Sequence, residues 1–274
     1  MKSRLDQLLV DRGLAESRQK AQGLIRAGLV VVGDHRLDKP GQQVDVEAPV
    51  RIKGELCPYV SRGGLKLAGA LERFGLTELA GRCALDVGAS TGGFTDCLLR
   101  HGARRVWAID TGRGQLHTSL RQDPRVTLRE QANARHLTPD WLDGQTVDLI
   151  VIDVSFISLR LILPLLTEVL AAGGTVVALV KPQFEAGARD VGKGGVVRER
   201  GVHRRVLTEV ARFALESGWR VLGLCPSPLL GPAGNREFFL HLAARRDLGA
   251  PPGLAEAALE IAIERTLDEA YNSC

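Results

Sequence analysis

The segment from Leu85 to Phe94 constrains the fold of this chain more than any other. An apolar run ends at Asp86, a turn of small residues follows, and Phe94 opens an apolar stripe that continues with Leu98 at helical spacing. The glycines of the turn permit positive φ angles and close approach by a ligand, because they carry no side chain. The pattern predicts a buried strand, a tight turn and a helix. It is typical of nucleotide-type cofactor sites, and an ordinary strand, turn and helix without a ligand is the alternative.

This turn lacks the spacings that bind phosphates. Neither G-x-G-x-x-G nor G-x-x-x-x-G-K-[ST] occurs in residues 85–94, and both of those patterns direct phosphates to a helix N-terminus. A second apolar run ends at Asp110, where a carboxylate suits hydrogen bonds to a ribose diol. We therefore expect a nucleoside that lacks phosphates and carries positive charge, as S-adenosylmethionine does.

Composition sets bounds on the class of protein. The 274 residues, 45% of them hydrophobic, suffice for one large domain or two with a substantial core. A net charge of +4 permits a polyanionic partner without requiring one. The five cysteines show no C-x-x-C spacing, which favours reduced, mostly buried thiols over a disulfide framework or a metal site. Because no signal core or apolar run of membrane-spanning length occurs, we expect a cytoplasmic protein without a membrane partner.

From residue 83 to residue 246, apolar strands alternate with helical segments, as in an open, doubly wound sheet. The expected strands are residues 83–88, 105–110, 126–130, 147–153, 174–181, 219–225 and 237–243. The connection from Pro226 to Arg236 has no room for a helix, so the last two strands should be antiparallel. The sequence thus predicts an α/β, Rossmann-like domain with seven strands, in the version used by methyltransferases that depend on S-adenosylmethionine.

The expected cofactor contacts lie in the turn and beyond the strand ends. Ala132 and Asn133 follow the third strand, where adenine contacts would fall, and a plain loop is nearly as good an interpretation. Asp153 ends the fourth strand beside the turn, because ligands of such sheets bind at the carboxyl ends of the strands. The expected cofactor-binding residues are Asp86, Gly88, Ala89, Ser90, Gly92, Gly93, Phe94, Asp110, Ala132, Asn133 and Asp153.

The N-terminal part reads as two short helices followed by short β segments. Residues 4–12 carry leucines at helical spacing, and Ser17 can cap a second helix that ends before Gly28. On that helix Arg18, Gln22 and Arg26 recur every four residues and therefore share one face. A solvated charged face is the simpler interpretation of these three residues taken alone.

The first 55 residues as a whole resemble the S4-type RNA-binding domain. They contain R-L-D-x-x-L from Arg4 and S-R-x-x-A-x-x-L-I-x-x-G-x-V-x-V from Ser17 to Val32. The resemblance implies a small α+β domain with a helix face that binds structured RNA, and it implies no particular reaction. On this basis we expect Arg4, Arg18 and Arg26 to contact RNA phosphates.

Four charged residues are expected on the same rim of the sheet: Lys66, Asp153, Lys181 and Glu237. Taken singly, each is more simply a surface charge. Methyl transfer to a ribose 2′-hydroxyl requires removal of a proton from a very weak acid, which a lysine can perform if its pKa is lowered by burial and by a second cation. We assign Lys181 as the base, Lys66 as the second cation, and the two carboxylates as orienting groups. Other acceptors fit worse, because the fourth strand is followed neither by [D/N]-P-P-[Y/F] nor by a cysteine nucleophile.

With these motifs the chain resembles the TlyA family of ribosomal RNA 2′-O-methyltransferases, historically labelled hemolysins. The similarity runs through residues 61–67, 86–95, 153–159, 180–185 and 234–237. It implies a Lys-Asp-Lys-Glu tetrad at the four residues above, S-adenosylmethionine as cofactor, and cytidine riboses of 23S and, in some members, 16S rRNA as acceptors. It also implies an S4-type domain at residues 1–56, a linker at residues 57–60 and an FtsJ-like methyltransferase domain at residues 61–274.

Two other functions stay open at this point. A membrane-acting cytolysin would need an exposed amphipathic segment, and the candidate at residues 254–271 is acidic, which disfavours anionic lipid. A protein that binds RNA and S-adenosylmethionine without turnover is the nearer alternative. We further expect a basic loop over the site at residues 183–197, a helix at residues 254–271 that packs on the domain or on a partner, and a monomer or weak homodimer that acts on rRNA within ribosomal subunits.

Overall fold

The structure is a computed structural model that describes residues 1–26, 28–52, 57–247 and 252–272. The chain divides into two compact units, residues 1–56 and 57–274. Residue 56, where we expected the first domain to end, lies outside the described residues, as does Cys274. Among the described cysteines, Cys83, Cys97 and Cys225 are buried free thiols and Cys57 is a partly exposed one.

The first unit contains two short helices and small antiparallel sheets. Ser17 caps the second helix, because its Oγ accepts a hydrogen bond from the Lys20 amide at 3.2 Å. The apolar residues at helical spacing, among them Leu5, Leu9 and Ile25, are fully buried in one cluster. One sheet has the order β3-β2-β5 and β1 pairs with β4. The elements are β1 (Lys2–Arg4), α1 (Leu5–Asp11), α2 (Arg18–Arg26), β2 (Val30–Val32), β3 (His35–Arg36), β4 (Gln43–Asp45) and β5 (Val50–Ile52).

A buried carboxylate organises the charged face of this unit. Asp6 is fully buried, and Arg4 donates to it through Nε and Nη2, each at 3.0 Å. Arg18 Nε and Gln22 Nε2 donate to the same carboxylate at 3.1 and 2.8 Å. The Arg4 guanidinium, aided by Gln22 and Arg18, holds the pKa of Asp6 well below its ordinary value despite burial. Asp6 binds part of each guanidinium group. The side chains of Arg4 and Arg18 remain 45% and 51% exposed, so the rest of each is open to solvent.

The second unit alternates strands with helices. Its helices are α3 (Gly63–Phe74), α4 (Gly93–Arg100), α5 (Thr118–Arg121), α6 (Leu163–Leu166), α7 (Pro182–Glu185), α8 (Arg200–Glu216) and α9 (Glu256–Asn272). Its strands are β6 (Cys83–Val87), β7 (Arg105–Ile109), β8 (Val126–Arg129), β9 (Val147–Ile152), β10 (Leu170–Val180), β11 (Trp219–Pro226) and β12 (Phe238–Ala244).

These strands form a seven-stranded sheet in the order β11-β12-β10-β9-β6-β7-β8. Strand β12 is antiparallel to both β10 and β11, and the other neighbouring pairs are parallel. The prediction of an antiparallel final pair is therefore confirmed. Its physical reason is that parallel neighbours need a long crossover, for which the connection from β11 to β12 is too short.

Most strand ends lie within one residue of the prediction, and the start of β10 differs from it by more. Strand β10 begins at Leu170 and not at residue 174, because Leu170 pairs with Val147 before a register shift that ends at Thr175. Gly173 and Gly174 lie inside this irregular stretch. Glycines in a strand commonly mark such irregular pairing.

Helices cover both faces of the sheet. One face packs on α3 and α4 in a cluster that includes Leu67, Leu98 and Val106. The other packs on α6, α8 and α9 in a cluster that includes Val206 and Ile263. The predicted C-terminal helix thus packs on its own domain, with Leu259, Ile263 and Leu267 buried. Within the described residues, no helix is both long and apolar enough to cross a membrane.

The change Asp6→Asn tests the buried carboxylate. Because three side chains lose a charged acceptor, we expect the first unit to lose about 2 kcal/mol at pH 7. The folded pKa of Asp6 lies below its value of 3.8 for an unperturbed group, so this stabilisation is present above about pH 4 and fades as the pH falls below it. Native-state amide exchange of residues 1–52, measured from pH 7 down to pH 3, gives the stability of the first unit separately from that of the second.

The matched control is Asp11→Asn, which removes an exposed carboxylate on the same helix that accepts only a surface hydrogen bond from Gln7. It should change the stability by less than about 0.5 kcal/mol. Equal effects of the two changes at pH 7 would contradict the role given to Asp6.

Candidate active site

The site lies at the edge of the sheet where the carboxyl ends of several parallel strands meet the amino end of one antiparallel strand. Strands β6, β9 and β10 are parallel, so Gly88, Asp153 and Lys181, which follow them, lie at the same edge. Strand β12 runs the other way, and Glu237 precedes its first residue at that edge. Helix α3 supplies Lys66. The structure therefore brings together the four charged residues selected from the sequence.

Lys181 is held by the loop that follows β9. Its Nζ lies 2.6 Å from Asp153 Oδ1 and donates to Ser155 Oγ at 3.1 Å. Only 10% of the Lys181 side chain is exposed, and Pro182 begins α7 directly after it. Its ammonium group is therefore fixed at the cavity wall and has little contact with bulk water.

Lys66 and Glu237 form the second ion pair. The Lys66 Nζ to Glu237 Oε2 distance is 2.6 Å, and the Glu237 side chain is fully buried while that of Lys66 is 11% exposed. Glu237 Oε1 has no hydrogen-bond partner among the described residues. A Cβ atom at Gly231 would clash with this carboxylate, so the glycine allows the connecting segment to cover it. Removal of Lys66 would leave a buried, unpaired charge, which is costly.

Two adjoining cavities lie at this edge. The first, of about 330 Å³, is lined by both lysines, by Asp153 and by the turn that follows β6. The second, of about 420 Å³, lies between the ends of β6, β7 and β9. Gly88, Ser90 and Asp153 line both cavities, so the two spaces meet at the turn. The predicted cofactor residues on one or both cavities are Gly88, Ala89, Ser90, Gly93, Phe94, Asp110, Ala132, Asn133 and Asp153.

The second cavity suits a nucleoside. Asp110 Oδ2 accepts from the Ser90 amide at 2.8 Å and Oδ1 accepts from the Gly112 amide at 2.6 Å, which orients the carboxylate at the cavity wall. A carboxylate has about four lone-pair positions, so acceptors remain for a ribose diol. Backbone and apolar groups of Ala132 and Ile162 line the same space. Apolar walls with a few fixed polar groups are typical of sites for small cofactors.

Ligand access is not the sole reason for a glycine at position 88, because the backbone around it also leaves no room for a side chain. Its φ is +92°, and a Cβ atom there would lie 2.5 Å from the backbone oxygen of Asp153. A side chain would therefore push the turn away from the loop that carries Asp153.

Two predicted cofactor residues line neither cavity. Asp86 is fully buried, and its Oδ2 accepts a hydrogen bond from Thr95 Oγ1 at 2.6 Å. Burial raises the pKa of Asp86 to about 7, and the carboxylate of Asp153 adds to this shift against the opposing hydrogen bond from Thr95. Gly92 has a φ of +97°, and a Cβ atom there would clash with Leu120. Asp86 therefore lies in the core behind the turn, and the glycine at position 92 leaves room for Leu120.

The basic loop lies elsewhere than expected. None of its described residues from 183 to 197 lines either cavity. Its C-terminal end is tied to the segment before β12, because Asn235 accepts from the Val197 amide at 3.0 Å and donates to the Gly195 oxygen at 2.9 Å. This tether to a buried asparagine fixes the end of the loop to the segment that precedes Glu237.

Sequence reasoning missed several residues of the site, among them Ser155, Phe156 and Leu230. Ser155, which binds Lys181, could have been found from its place two residues after Asp153. Phe156 is 89% exposed and adopts a φ of +63°, an uncommon conformation for an aromatic residue, on the wall of the second cavity. Leu230 lines the first cavity and is 48% exposed. Phe156 lies within the family motif at residues 153–159, whereas no local pattern marks Leu230 as part of a site.

The change Asp86→Asn should stabilise the protein above pH 7. The folded pKa of about 7 lies above the ordinary 3.8, so the folded state keeps a proton that the unfolded state loses. The native carboxyl therefore costs stability progressively between about pH 4 and pH 7, and its removal should gain about 2 kcal/mol at higher pH. Urea unfolding at pH 4, 6 and 8 measures the difference in free energy of unfolding between wild type and variant. The exposed Asp140→Asn is the control. A gap between wild type and variant that does not change with pH would refute the assignment.

Comparisons with known proteins assign both parts of the chain to domain families. The FtsJ-like methyltransferase model matches residues 59–244, and the S4 domain model matches residues 3–50. The 16S/23S rRNA (cytidine-2′-O)-methyltransferase TlyA of Mycobacterium tuberculosis is 47% identical over 269 residues, which cover 98% of each chain. Hemolysin A of Brachyspira hyodysenteriae is 38% identical over 242 residues, which cover 87% of this chain and 98% of that protein.

A solved structure of a hemolysin from Streptococcus thermophilus superimposes with a TM-score of 0.76 at 43% identity, over 99% of this chain and 98% of that chain. These matches confirm the resemblance to the TlyA family that the sequence motifs indicated. The chain therefore belongs to the FtsJ-like methyltransferase family and carries an S4 domain ahead of its methyltransferase domain.

Proposed function

We propose that this protein transfers a methyl group from S-adenosylmethionine to the 2′-hydroxyl of a cytidine in ribosomal RNA. The observation that supports this most is the Lys181–Asp153 ion pair, which lies where the lysine-lined first cavity meets the nucleoside-sized second cavity. The acceptor class follows the relatives, since TlyA of M. tuberculosis is named a 16S/23S rRNA (cytidine-2′-O)-methyltransferase. We take 23S rRNA within ribosomal subunits as the first substrate to test and 16S rRNA as the second, with the cytoplasm as the place of action.

The second cavity fits the proposed cofactor. Asp110 would bind the ribose diol, and the segment around Ala132 and Asn133 would enclose the adenine. The shared wall at Gly88 and Asp153 would lie nearest the reacting end. When bound, S-adenosylmethionine supplies a methyl group on a positively charged sulfur.

Each member of the tetrad has a distinct task in this proposal. Lys181, once deprotonated, accepts the hydroxyl proton at Nζ, while Asp153 and Ser155 fix the direction in which that nitrogen points. Lys66 lines the same cavity and offers positive charge to the developing alkoxide. Glu237 keeps the Lys66 ammonium in place from its buried position. The arrangement separates the base from the electrostatic stabiliser and gives each its own carboxylate.

We propose a division of labour between the units, with RNA binding in residues 1–56, a linker at residues 57–60 and catalysis in residues 61–274. Arg4 and Arg18 present half-exposed guanidinium groups that Asp6 holds in place, and Arg26 is exposed on the same helix as Arg18. A membrane-acting alternative finds less support, because Leu259, Ile263 and Leu267 of α9, the segment on which it relied, are buried in the core and leave Ile261 as the exposed large apolar residue of that helix. We propose a monomer or weak homodimer.

The base assignment is tested by Lys181→Ala. Loss of a general base should lower methyl transfer from radiolabelled S-adenosylmethionine to ribosomal subunits by about a hundredfold or more. Lys193→Ala serves as control, because Lys193 is exposed and lines neither cavity. Cofactor binding, measured by calorimetry, should change by less than about fivefold. Transfer by the Lys181 variant at the wild-type rate would remove Lys181 from the mechanism.

The RNA-binding assignment is tested by Arg18→Ala combined with Arg26→Ala. Each lost phosphate contact should lower the slope of log affinity against log salt concentration by about one. We therefore expect weaker rRNA binding and a slope reduced by about two, with cofactor affinity unchanged. Lys20→Ala is the matched control, since Lys20 lies two residues from Arg18 on another face of α2 and pairs with Glu16. An unchanged slope in the double variant would exclude these arginines as phosphate contacts.

A further inference from the structure

The loop after β9 and the turn after β10 are joined by contacts that the catalytic ion pair does not require. We name residues 153–159 the β9 loop and residues 181–185 the β10 turn. At one end Lys181 of the β10 turn binds Asp153 and Ser155 of the β9 loop. At the other end Glu185 Oε2 accepts from the Ser158 hydroxyl at 2.7 Å, and Glu185 Oε1 accepts from the Leu159 amide at 2.8 Å.

Between these two ends lies an aromatic contact. The ring of Phe184 meets that of Phe156 with centroids 4.9 Å apart and planes tilted by 50°. Phe156 adopts a φ of +63°, and such a conformation persists in an aromatic residue only where the surroundings hold it. The hydrogen bonds to Glu185 fix Ser158 and Leu159, which lie two and three residues after this strained position.

The β10 turn is short and stiff, so the position of Glu185 can affect the position of Lys181. Pro182 locks its own φ at the first position of α7, and α7 is a single turn that ends at Glu185. Lys181 and Glu185 therefore lie at the two ends of one rigid turn. Because Glu185 binds the C-terminal end of the β9 loop, it influences the position of the N-terminal end of that loop relative to the Lys181 ammonium group.

The β9 loop also forms a wall of the nucleoside-sized cavity. Its residues on that cavity are Asp153, Val154, Ser155, Phe156 and Ile157. Glu185 itself lines neither cavity. Burial raises the pKa of Glu185, against the opposing hydrogen bonds from Ser158 and Leu159.

We propose that Glu185 is a positioning residue that latches the β9 loop to the β10 turn through Ser158 and Leu159, and that this latch aligns Lys181 with Asp153 and shapes the cofactor wall. The proposal rests on the function proposed above. It assigns to Glu185 no contact with the substrate or the cofactor. Strands β9 and β10 are already paired in the sheet, for example at Ala178 and Ile152. The hydrogen bonds of Glu185 are therefore not needed to join the strands, and they act on the segments that follow them.

The test compares Glu185→Ala with the conservative Glu185→Gln. The amide side chain keeps one oxygen for the Leu159 amide and a polar group for Ser158, so it should retain most of the latch. Glu168→Ala is the control, since Glu168 is exposed and lies on neither cavity. Each variant is assayed for single-turnover methyl transfer to ribosomal subunits, for S-adenosylmethionine affinity by calorimetry, for thermal unfolding, and for amide exchange at Leu159 without cofactor.

We expect Glu185→Ala to lower the transfer rate at least tenfold and cofactor affinity about threefold to tenfold, and to speed exchange at Leu159. Glu185→Gln should stay within about threefold of wild type in each measurement. Adding Ser158→Ala to Glu185→Ala should cost little more, because both changes open the same latch. The thermal midpoint should be similar in the alanine and glutamine variants.

Other outcomes overturn the proposal. An active wild-type protein with an equally active Glu185→Ala variant removes the positioning role and leaves the proposed function intact. Parallel losses of rate and thermal stability, not rescued by glutamine, reduce Glu185 to a structural residue. If the wild-type protein binds cofactor and transfers no methyl group, the proposed function fails, and unchanged cofactor affinity and Leu159 exchange in Glu185→Ala then overturn the latch as well.

Discussion

The reversed direction of β12 is the constraint on which the site depends. Parallel strands deliver only their carboxyl ends to the cofactor edge of such a sheet, and here they deliver Asp153 and Lys181. Because β12 lies antiparallel beside β10, its amino end reaches that edge and brings Glu237 with it. Glu237 in turn anchors Lys66 from α3, which belongs to a different layer. One reversed strand thus supplies the second ion pair that an all-parallel sheet would lack.

The site is built at a cost in stability. Buried ion pairs seldom repay the loss of hydration, and the Lys66–Glu237 pair leaves one carboxylate oxygen without a hydrogen-bond partner among the described residues. Asp86 is buried behind the turn with its pKa raised to about 7. The neighbouring strands and helices, packed on both faces of the sheet, hold these groups in place. Such concentration of unfavourable charge near one cavity is typical of catalytic sites.

Sequence patterns predicted the parts of this structure that depend on local order along the chain. Apolar runs gave the strands, and the short connection before Glu237 gave the antiparallel pair. Asp153, Lys181 and Glu237 followed because strand direction decides which strand ends meet, whereas Lys66 lies on α3. In contrast, the inward position of Asp86 was not predictable, since the same acid at a strand end can face a ligand or the core. The pairing of Glu185 with Ser158 joins residues that are far apart in sequence and carries no periodic signal. Asp6 was likewise read only as part of a motif, although it holds two of the arginines selected for RNA binding.

The central claim is that the two ion pairs serve methyl transfer to a ribose oxygen, and the position of the methyl group tests it most directly. Ribosomal subunits treated with the wild-type protein and S-adenosylmethionine would be digested to nucleosides and analysed by tandem mass spectrometry. The account predicts a methylated cytidine that releases unmodified cytosine on fragmentation, because the methyl group is on the sugar. A fragment in which the methyl group stays on the base would contradict the account, since a lysine base and a stabilising cation would then have no ribose hydroxyl to act on.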